Sequence, residues 1–277
     1  MSLHAQLYQY SEVYDVIFDR DVSREVDFLL GLFQERLGHE PDQALELCCG
    51  PGYYARALYR RGIATTGLDL SPEMIALARS KTGLLETALQ WVQGDMRSFQ
   101  LEAPVELAFC LFSGIQSLLS DDELVQHLRA VRDNLKPGGL YVVELSHPRD
   151  YMTPVYMPCY YSGQREGIQA ELVWGCNTPP IDLVKGAARV EVELRVQQRH
   201  RQAVYRDMAE ERVLMPAELR LLSRLAGGLE IVGWYGDFHL DQPLDNSPQS
   251  HRMLVVLQRT AGMSQRLESP QVLRLAG

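Results

Sequence analysis

Hydrophobic positions recur along this chain in two rhythms that alternate from residue 4 to residue 146. Residues 4–19 place Leu7, Tyr10, Tyr14, Ile17 and Phe18 at helical spacing, and Val22 to Leu37 repeats it, so two helices are predicted first. The apolar run Ala44 to Cys49 then predicts a buried strand, Gly50-Pro51-Gly52 a turn, and Tyr54 with Leu58 the inner face of a helix. A second strand spans Ile63 to Leu70. Ser71-Pro72-Glu73 supplies a capping hydroxyl, a proline at the first helical position and an early acid, and Met74, Leu77 and Ala78 form the inner face behind them. Strands follow over Leu89–Val92 and Val105–Phe112. Ser120-Asp121-Asp122-Glu123 caps a helix running to Leu135, and Gly138-Gly139 turns into the strand Leu140 to Leu145. This alternation predicts an α/β fold with a doubly wound, mostly parallel sheet.

From His147 the texture changes. Residues 148–168 are rich in Pro, Tyr and Gly, including Pro154 and Tyr156, and a period-two run at 189–196 is flanked by shorter ones at 171–176 and 205–213. These predict an antiparallel, β-rich segment inserted between the fifth and sixth strands of the sheet. A helix from Pro216 to Ala226, stopped by Gly227-Gly228, and strands at Ile231–Phe238 and Met253–Gln258 complete seven core strands. The expected divisions are N-terminal helices at 1–40, a core at 41–146, the insertion at 147–213, the end of the core at 214–260, and a tail at 261–277 without clear period.

The 277 residues suffice for one large domain with an insertion, and 46% hydrophobic with 23% charged residues is ordinary for a globular chain. A net charge of −9 argues against nucleic acid as an obligatory partner, which needs a basic surface. The five cysteines are odd in number and form no Cys-x-x-Cys pair, so they read as reduced thiols rather than a disulfide framework or a zinc site, and no metal is expected. Met1-Ser2-Leu3-His4 opens no signal-peptide layout and no apolar run reaches membrane-spanning length, which predicts a cytoplasmic protein with no membrane partner.

Glycine at 50 and 52 permits a sharp turn and a close approach of ligand to main-chain N–H groups at a helix N-terminus. Asp69, at the tip of the next strand, is placed to accept hydrogen bonds from a ribose diol. Together they predict a nucleoside pocket. The series of Glu46 inside the first strand, Asp69-Leu70-Ser71-Pro72-Glu73-Met74, Gly94-Asp95-Met96 and Leu135-Lys136-Pro137-Gly138-Gly139 resembles the class I S-adenosylmethionine-dependent methyltransferases of the small-molecule tailoring type, over roughly residues 40 to 146 and more loosely to the end.

The resemblance implies S-adenosylmethionine as cofactor, held by Tyr14, Glu46, Cys48, Gly50, Gly52, Asp69, Leu70, Met74, Gly94, Asp95, Met96, Leu111, Phe112 and Gln116, with the N-terminal helices lying over it. It implies a small-molecule acceptor, methylated at nitrogen or oxygen, and an insertion that forms the acceptor pocket or a dimer contact, the alternative being a platform covering the sheet edge. Tyr10, Tyr151, Tyr160 and Tyr161 are candidate walls of the acceptor site. Methyl transfer needs positioning and water exclusion before it needs a base. Should a base act, His147 just beyond the fifth strand is the first candidate and His239 the second, each against a plain structural role. No Asn-Pro-Pro-Tyr box follows the fourth strand, which disfavours methylation of a flipped base. Two other readings stay open: a nicotinamide-dependent oxidoreductase, because Gly50-x-Gly52-x-x-Ala55 also fits the loose dinucleotide fingerprint, and a non-methylating S-adenosylmethionine-binding protein. Monomer and homodimer are both compatible with the sequence.

Overall fold

The computed structural model describes residues 5–82, 88–152, 157–176, 181–199 and 201–260; the expected tail 261–277, and Pro154 and Tyr156 of the aromatic stretch, lie outside them. In chain order the elements are α1 (Ala5–Gln9), α2 (Ser11–Phe18), α3 (Ser23–Leu37), β1 (Gln43–Leu47), α4 (Tyr53–Arg60), β2 (Ala64–Asp69), α5 (Pro72–Ser80), β3 (Leu89–Gln93), β4 (Val105–Cys110), α6 (Asp121–Asn134) and β5 (Leu135–Ser146). The second half adds β6 (Cys159–Arg165), β7 (Ile168–Trp174), β8 (Ala187–Gln198), β9 (Arg201–Arg212), α7 (Pro216–Ala226), β10 (Leu229–Tyr235) and β11 (Arg252–Arg259).

Seven strands form one sheet in the order β10-β11-β5-β4-β1-β2-β3, parallel from β5 to β3 and antiparallel where β11 lies between β5 and β10. Alternate residues of each strand feed opposite faces, as the pleat demands. Ala108 and Cys110 of β4 pack with α6 and α7 through Leu124, Leu128 and Leu222, while Leu107 and Phe109 meet Phe28, Leu29 and Phe33 of α3. The predicted starts of α5 and α6 hold: Ser71 Oγ accepts the Met74 N–H at 3.2 Å, and Ser120 and Glu123 form a reciprocal capping box.

The insertion is a separate four-stranded antiparallel sheet, β6-β7-β8-β9. One of its strands, β6, carries no clear alternation in sequence. Gly163 in it admits α2 so closely that a Cβ there would stand 1.9 Å from the Val16 carbonyl oxygen. One face of this sheet, with Leu172, Val190 and Leu194, packs on Leu7, Val13, Tyr14, Ile17 and Phe18. The helix expected over 4–19 is two helices, because Tyr10 leaves helical geometry (φ −91°, ψ 50°) and its ring stacks on Tyr205 of β9 at 4.5 Å. Among the described residues no helix is long and apolar enough to cross a membrane.

Candidate functional site

The parallel strands end on one side of the sheet, and there a cavity of about 670 Å³ opens between the strand tips and the N-terminal helices. Its floor is the turn after β1. Gly50 stands at φ 52°, and its N–H donates to Asp69 Oδ2 at 2.8 Å, while Asp69 Oδ1 accepts the Ser71 N–H at 2.9 Å. The Asp69 carboxylate thereby ties the first loop to the second.

Glu46, buried inside β1, accepts the Ala55 N–H through Oε2 at 2.7 Å. Gly52 at the N-cap of α4 has no side chain with which to satisfy that helix end, so the strand carboxylate does it instead. Burial pushes Glu46 up to about 8, offset in part by the Ala55 N–H and reinforced by Asp69. Asp69 is likewise raised by burial, against the backbone N–H groups of Ser71, Gly50 and Leu70. Two neighbouring carboxyl groups thus retain protons more readily than free ones, the condition under which a cationic ligand binds by displacing a proton.

Beyond Asp69 the cavity is walled by Leu70, Ser71, Pro72, Glu73 and Met74, and by Gly94, Asp95, Met96 and Arg97 after β3. Asp95 is held below the usual carboxylate range mainly by Arg97, whose guanidinium takes both its oxygens and also pairs with Glu123 at the start of α6. The opposite wall is aromatic. Tyr8, Tyr14, Phe18 and Phe112 line it, with ring centroids 5.9 Å apart for Tyr8–Tyr14, 4.5 Å for Tyr14–Phe18 and 5.4 Å for Phe18–Phe112. Burial raises the Tyr8 and Tyr14 phenols, so both stay neutral at ordinary pH.

Of the fourteen residues expected around the cofactor, Tyr14, Glu46, Cys48, Gly50, Asp69, Leu70, Met74, Gly94, Asp95, Met96, Leu111 and Phe112 line this one cavity. Gly52 and Gln116 do not. Gly52 is glycine because a Cβ there would meet the Trp91 ring at 1.9 Å, and Gly67 faces the same ring at 2.4 Å, so the second glycine of the turn makes room for a side chain of β3 rather than for a ligand. Gln116 is buried behind the wall, donating from Nε2 to Tyr151 Oη at 2.6 Å and to the Arg212 carbonyl at 3.0 Å.

The expected acceptor residues need correction. His147 is buried, with Nε2 bonded to the Asp245 carbonyl at 2.9 Å and Nδ1 accepting the Arg149 N–H at 3.1 Å. Since a carbonyl only accepts, Nε2 carries the proton and neither ring nitrogen is left for a substrate; His147 fastens the end of β5 to the loop before β11. His239 is exposed on that loop and lines no part of the cavity. Tyr10 stacks on Tyr205, Tyr151 is buried against Gln116, and Tyr160 points outward with 74% of its surface exposed. Tyr161 stands one layer back, its ring 5.0 Å from Phe18 and 6.1 Å from Phe112. No described residue of the insertion lines the cavity.

Sequence reasoning missed Tyr8, Phe18, Arg20, Tyr53, Tyr54, Arg97, Ser117 and Glu123 as wall residues. Arg97 had a signal, a cation two residues after Asp95. Arg20 had none, since it sits between two helices and reaches Glu25 Oε1 at 2.6 Å and Tyr54 Oη at 3.4 Å only through the fold.

Residues 44–139 match the family described as the methyltransferase domain. Among curated relatives, the dTDP-3-amino-3,4,6-trideoxy-alpha-D-glucopyranose N,N-dimethyltransferase of Streptomyces venezuelae is 30% identical over 138 residues, 49% of this chain and 56% of the relative. The demethylmenaquinone methyltransferase of Tropheryma whipplei is 35% identical over 124 residues, 42% of this chain and 46% of the relative. The match therefore spans about half the length of these relatives. Among solved structures, an S-adenosylmethionine-dependent methyltransferase from Clostridium acetobutylicum superimposes with a TM-score of 0.73 at 17% identity, covering 91% of this chain and 98% of that one, a likeness of fold.

Proposed function

We propose that the core of this chain is a class I S-adenosylmethionine-dependent methyltransferase domain, and that the protein methylates the amino group of a small molecule with S-adenosylmethionine as cofactor. The donor set suits a cationic nucleoside: Asp69 for the ribose, Met74, Asp95 and Met96 for the base, and Glu46 with the Gly50 turn for the amino-acid end. When bound, the cofactor supplies an electrophilic methyl group on a sulfonium.

The chain's part is to position and to dry the site. Tyr14, Phe18 and Phe112 cover the cavity with aromatic faces, which exclude water and favour positive charge. The single observation that carries the choice of an amine is the wall itself. Among the described residues that form it there is no histidine and no lysine, and the carboxyl groups of raised proton affinity, Glu46 and Asp69, are taken up by the cofactor in this reading, so a hydroxyl is left without these bases, whereas an unprotonated amine arrives with its lone pair free. The Streptomyces relative, by its name, dimethylates an amino sugar nucleotide, which makes that compound the first probe.

Calorimetric titration with S-adenosylmethionine, S-adenosylhomocysteine and NAD, followed by turnover of a dTDP-linked 3-amino sugar and its 3-hydroxy counterpart, tests the reading. Binding of both adenosyl compounds, silence toward NAD and methylation of the amine alone is the expected result. NAD binding in their place, or equal methylation of the alcohol, overturns it.

A further inference from the structure

Two consecutive non-glycine residues, Phe112 and Ser113, stand in the left-handed region at φ 55° and 61° where the chain leaves β4. Such a pair persists only where the surroundings hold it, because each residue there carries a backbone cost. What holds it is Glu144, a residue only 2% exposed near the end of β5, whose Oε2 accepts the Phe112 N–H at 2.6 Å. Its other oxygen lies 3.4 Å from Arg252 Nε on β11. A carboxylate buried this deeply is costly unless its oxygens are used, and here one of them is spent on a single backbone N–H.

The turn so fixed does two things. It swings the Phe112 ring against Phe18 and Tyr161, and it starts the 3-10 turn Gly114–Ser117 that brings Ser117 to the cavity wall. Gly114 follows so tightly that a Cβ there would stand 2.9 Å from Cys48 Cβ, so the turn cannot slide toward β1 to relieve the strain. We propose that Glu144 is a positioning residue: its buried carboxylate clamps the Phe112–Ser113 turn and thereby holds the aromatic wall against which the acceptor stands. The kinetic consequence rests on the methyltransferase reading above; the structural one does not.

Four variants test it: Glu144→Ala, Glu144→Gln, whose amide oxygen still accepts the N–H, Phe112→Ala, and the double variant Glu144→Ala with Phe112→Ala. Hydrogen exchange of the 111–117 segment is measured first, with no ligand. Glu144→Ala should lose protection at the Phe112 amide while Glu144→Gln keeps it. Kinetics then use the dTDP-linked 3-amino sugar. Glu144→Ala should raise its KM by about tenfold or more, because binding must then re-form a turn no longer held by a hydrogen bond to a charged group, and should weaken S-adenosylhomocysteine by a smaller factor. Glu144→Gln should stay near the parent, and the double variant should be no worse than Phe112→Ala alone, since both substitutions remove the same wall. The proposal is overturned if Gln damages the turn as much as Ala, if the Phe112 amide stays protected in Glu144→Ala, or if the two defects add. Should the parent methylate no amine at all, the functional reading falls and the exchange measurement still decides the clamp.

Discussion

Replacing Asp15 probes how the N-terminal helices are held over the cavity. Asp15 is fully buried on α2, and its carboxylate pairs with Lys81 just after α5 and with Arg165 of β6, and accepts the Tyr53 hydroxyl at 3.1 Å. One side chain therefore ties together the helix that carries Tyr14 and Phe18, the core, and the inserted sheet. Removing one member of a fully buried ion pair costs about 3–5 kcal/mol. Here the figure is smaller, because Lys81 and Arg165 are 20% and 38% exposed and both also reach Asp19, at 3.5 Å and 2.9 Å. Asp15→Ala should thus lose roughly 1–3 kcal/mol in urea unfolding, and Asp15→Asn less, since an amide keeps hydrogen bonds but not charge. Burial would raise the Asp15 pKa, yet Lys81 and Arg165 outweigh it and hold the group below the usual carboxylate range. A depressed folded-state pKa stabilises above the unfolded value and ceases to do so as pH falls through the folded one, so the gap between parent and variant should close in acid. Stopped-flow release of S-adenosylhomocysteine should be faster in both variants. Unchanged stability together with unchanged release would refute the reasoning, because nothing else among the described contacts joins these three pieces through one buried charge.

Other expectations follow from single groups. Glu46 carries a proton up to about pH 8, and a cationic cofactor end should displace it, so affinity for S-adenosylmethionine should increase as pH is raised toward that value, by up to about tenfold per pH unit. Calorimetry in buffers of different ionisation enthalpy reads the released proton, and buffer-independent heats would count against the site. His127, buried with Nδ1 at 2.9 Å from the Met96 carbonyl and Nε2 at 2.6 Å from Tyr141 Oη, is pushed down by burial to about 4. It should destabilise the fold progressively as pH drops from 6.5 to about 4, by roughly 3 kcal/mol in all. That slope is read as the difference between the parent and His127→Gln, since Glu46 titrates in the opposite sense over part of the same window; parallel curves would be the wrong result. Gly52→Ala should cost about 2–4 kcal/mol through collision with Trp91 and its φ of 73°, and Trp91→Leu should recover part of the loss in urea unfolding.

The core was legible because its signals are local. The strand run bounded by Gly50-Pro51-Gly52, and helix starts at Ser71-Pro72 and Ser120-Asp121-Asp122-Glu123, act within a few residues, so the alternation predicted the parallel sheet, whereas Gly138-Gly139, expected as a turn before the fifth strand, lies inside β5. The floor of the site was legible for the same reason, since strand tips in such a sheet converge on one edge. Histidines and tyrosines misled because sequence shows that a group can titrate or stack, not whether its polar atoms are already used: His147 has both nitrogens occupied and Tyr151 is taken by Gln116. Gly52 misled differently, since the backbone freedom it offers is real but answers to Trp91, some forty residues on.

The insertion meets the site from behind the N-terminal helices. It contributes no described wall residue, yet Tyr161 presses on the wall residues Phe18 and Phe112 from behind, while Tyr205 and Arg165 hold Tyr10 and Asp15 of the N-terminal helical segment that carries that wall. A contact made on the far side of α2 shapes the cavity only if α2 is stiff and has nowhere else to go. Both conditions are met, because Gly163 lets β6 touch the α2 backbone directly and Asp15 fixes that helix to the core. The inserted sheet therefore braces the aromatic wall from behind α2, and loosening the Tyr161 contacts should loosen Phe18 and Phe112 with it.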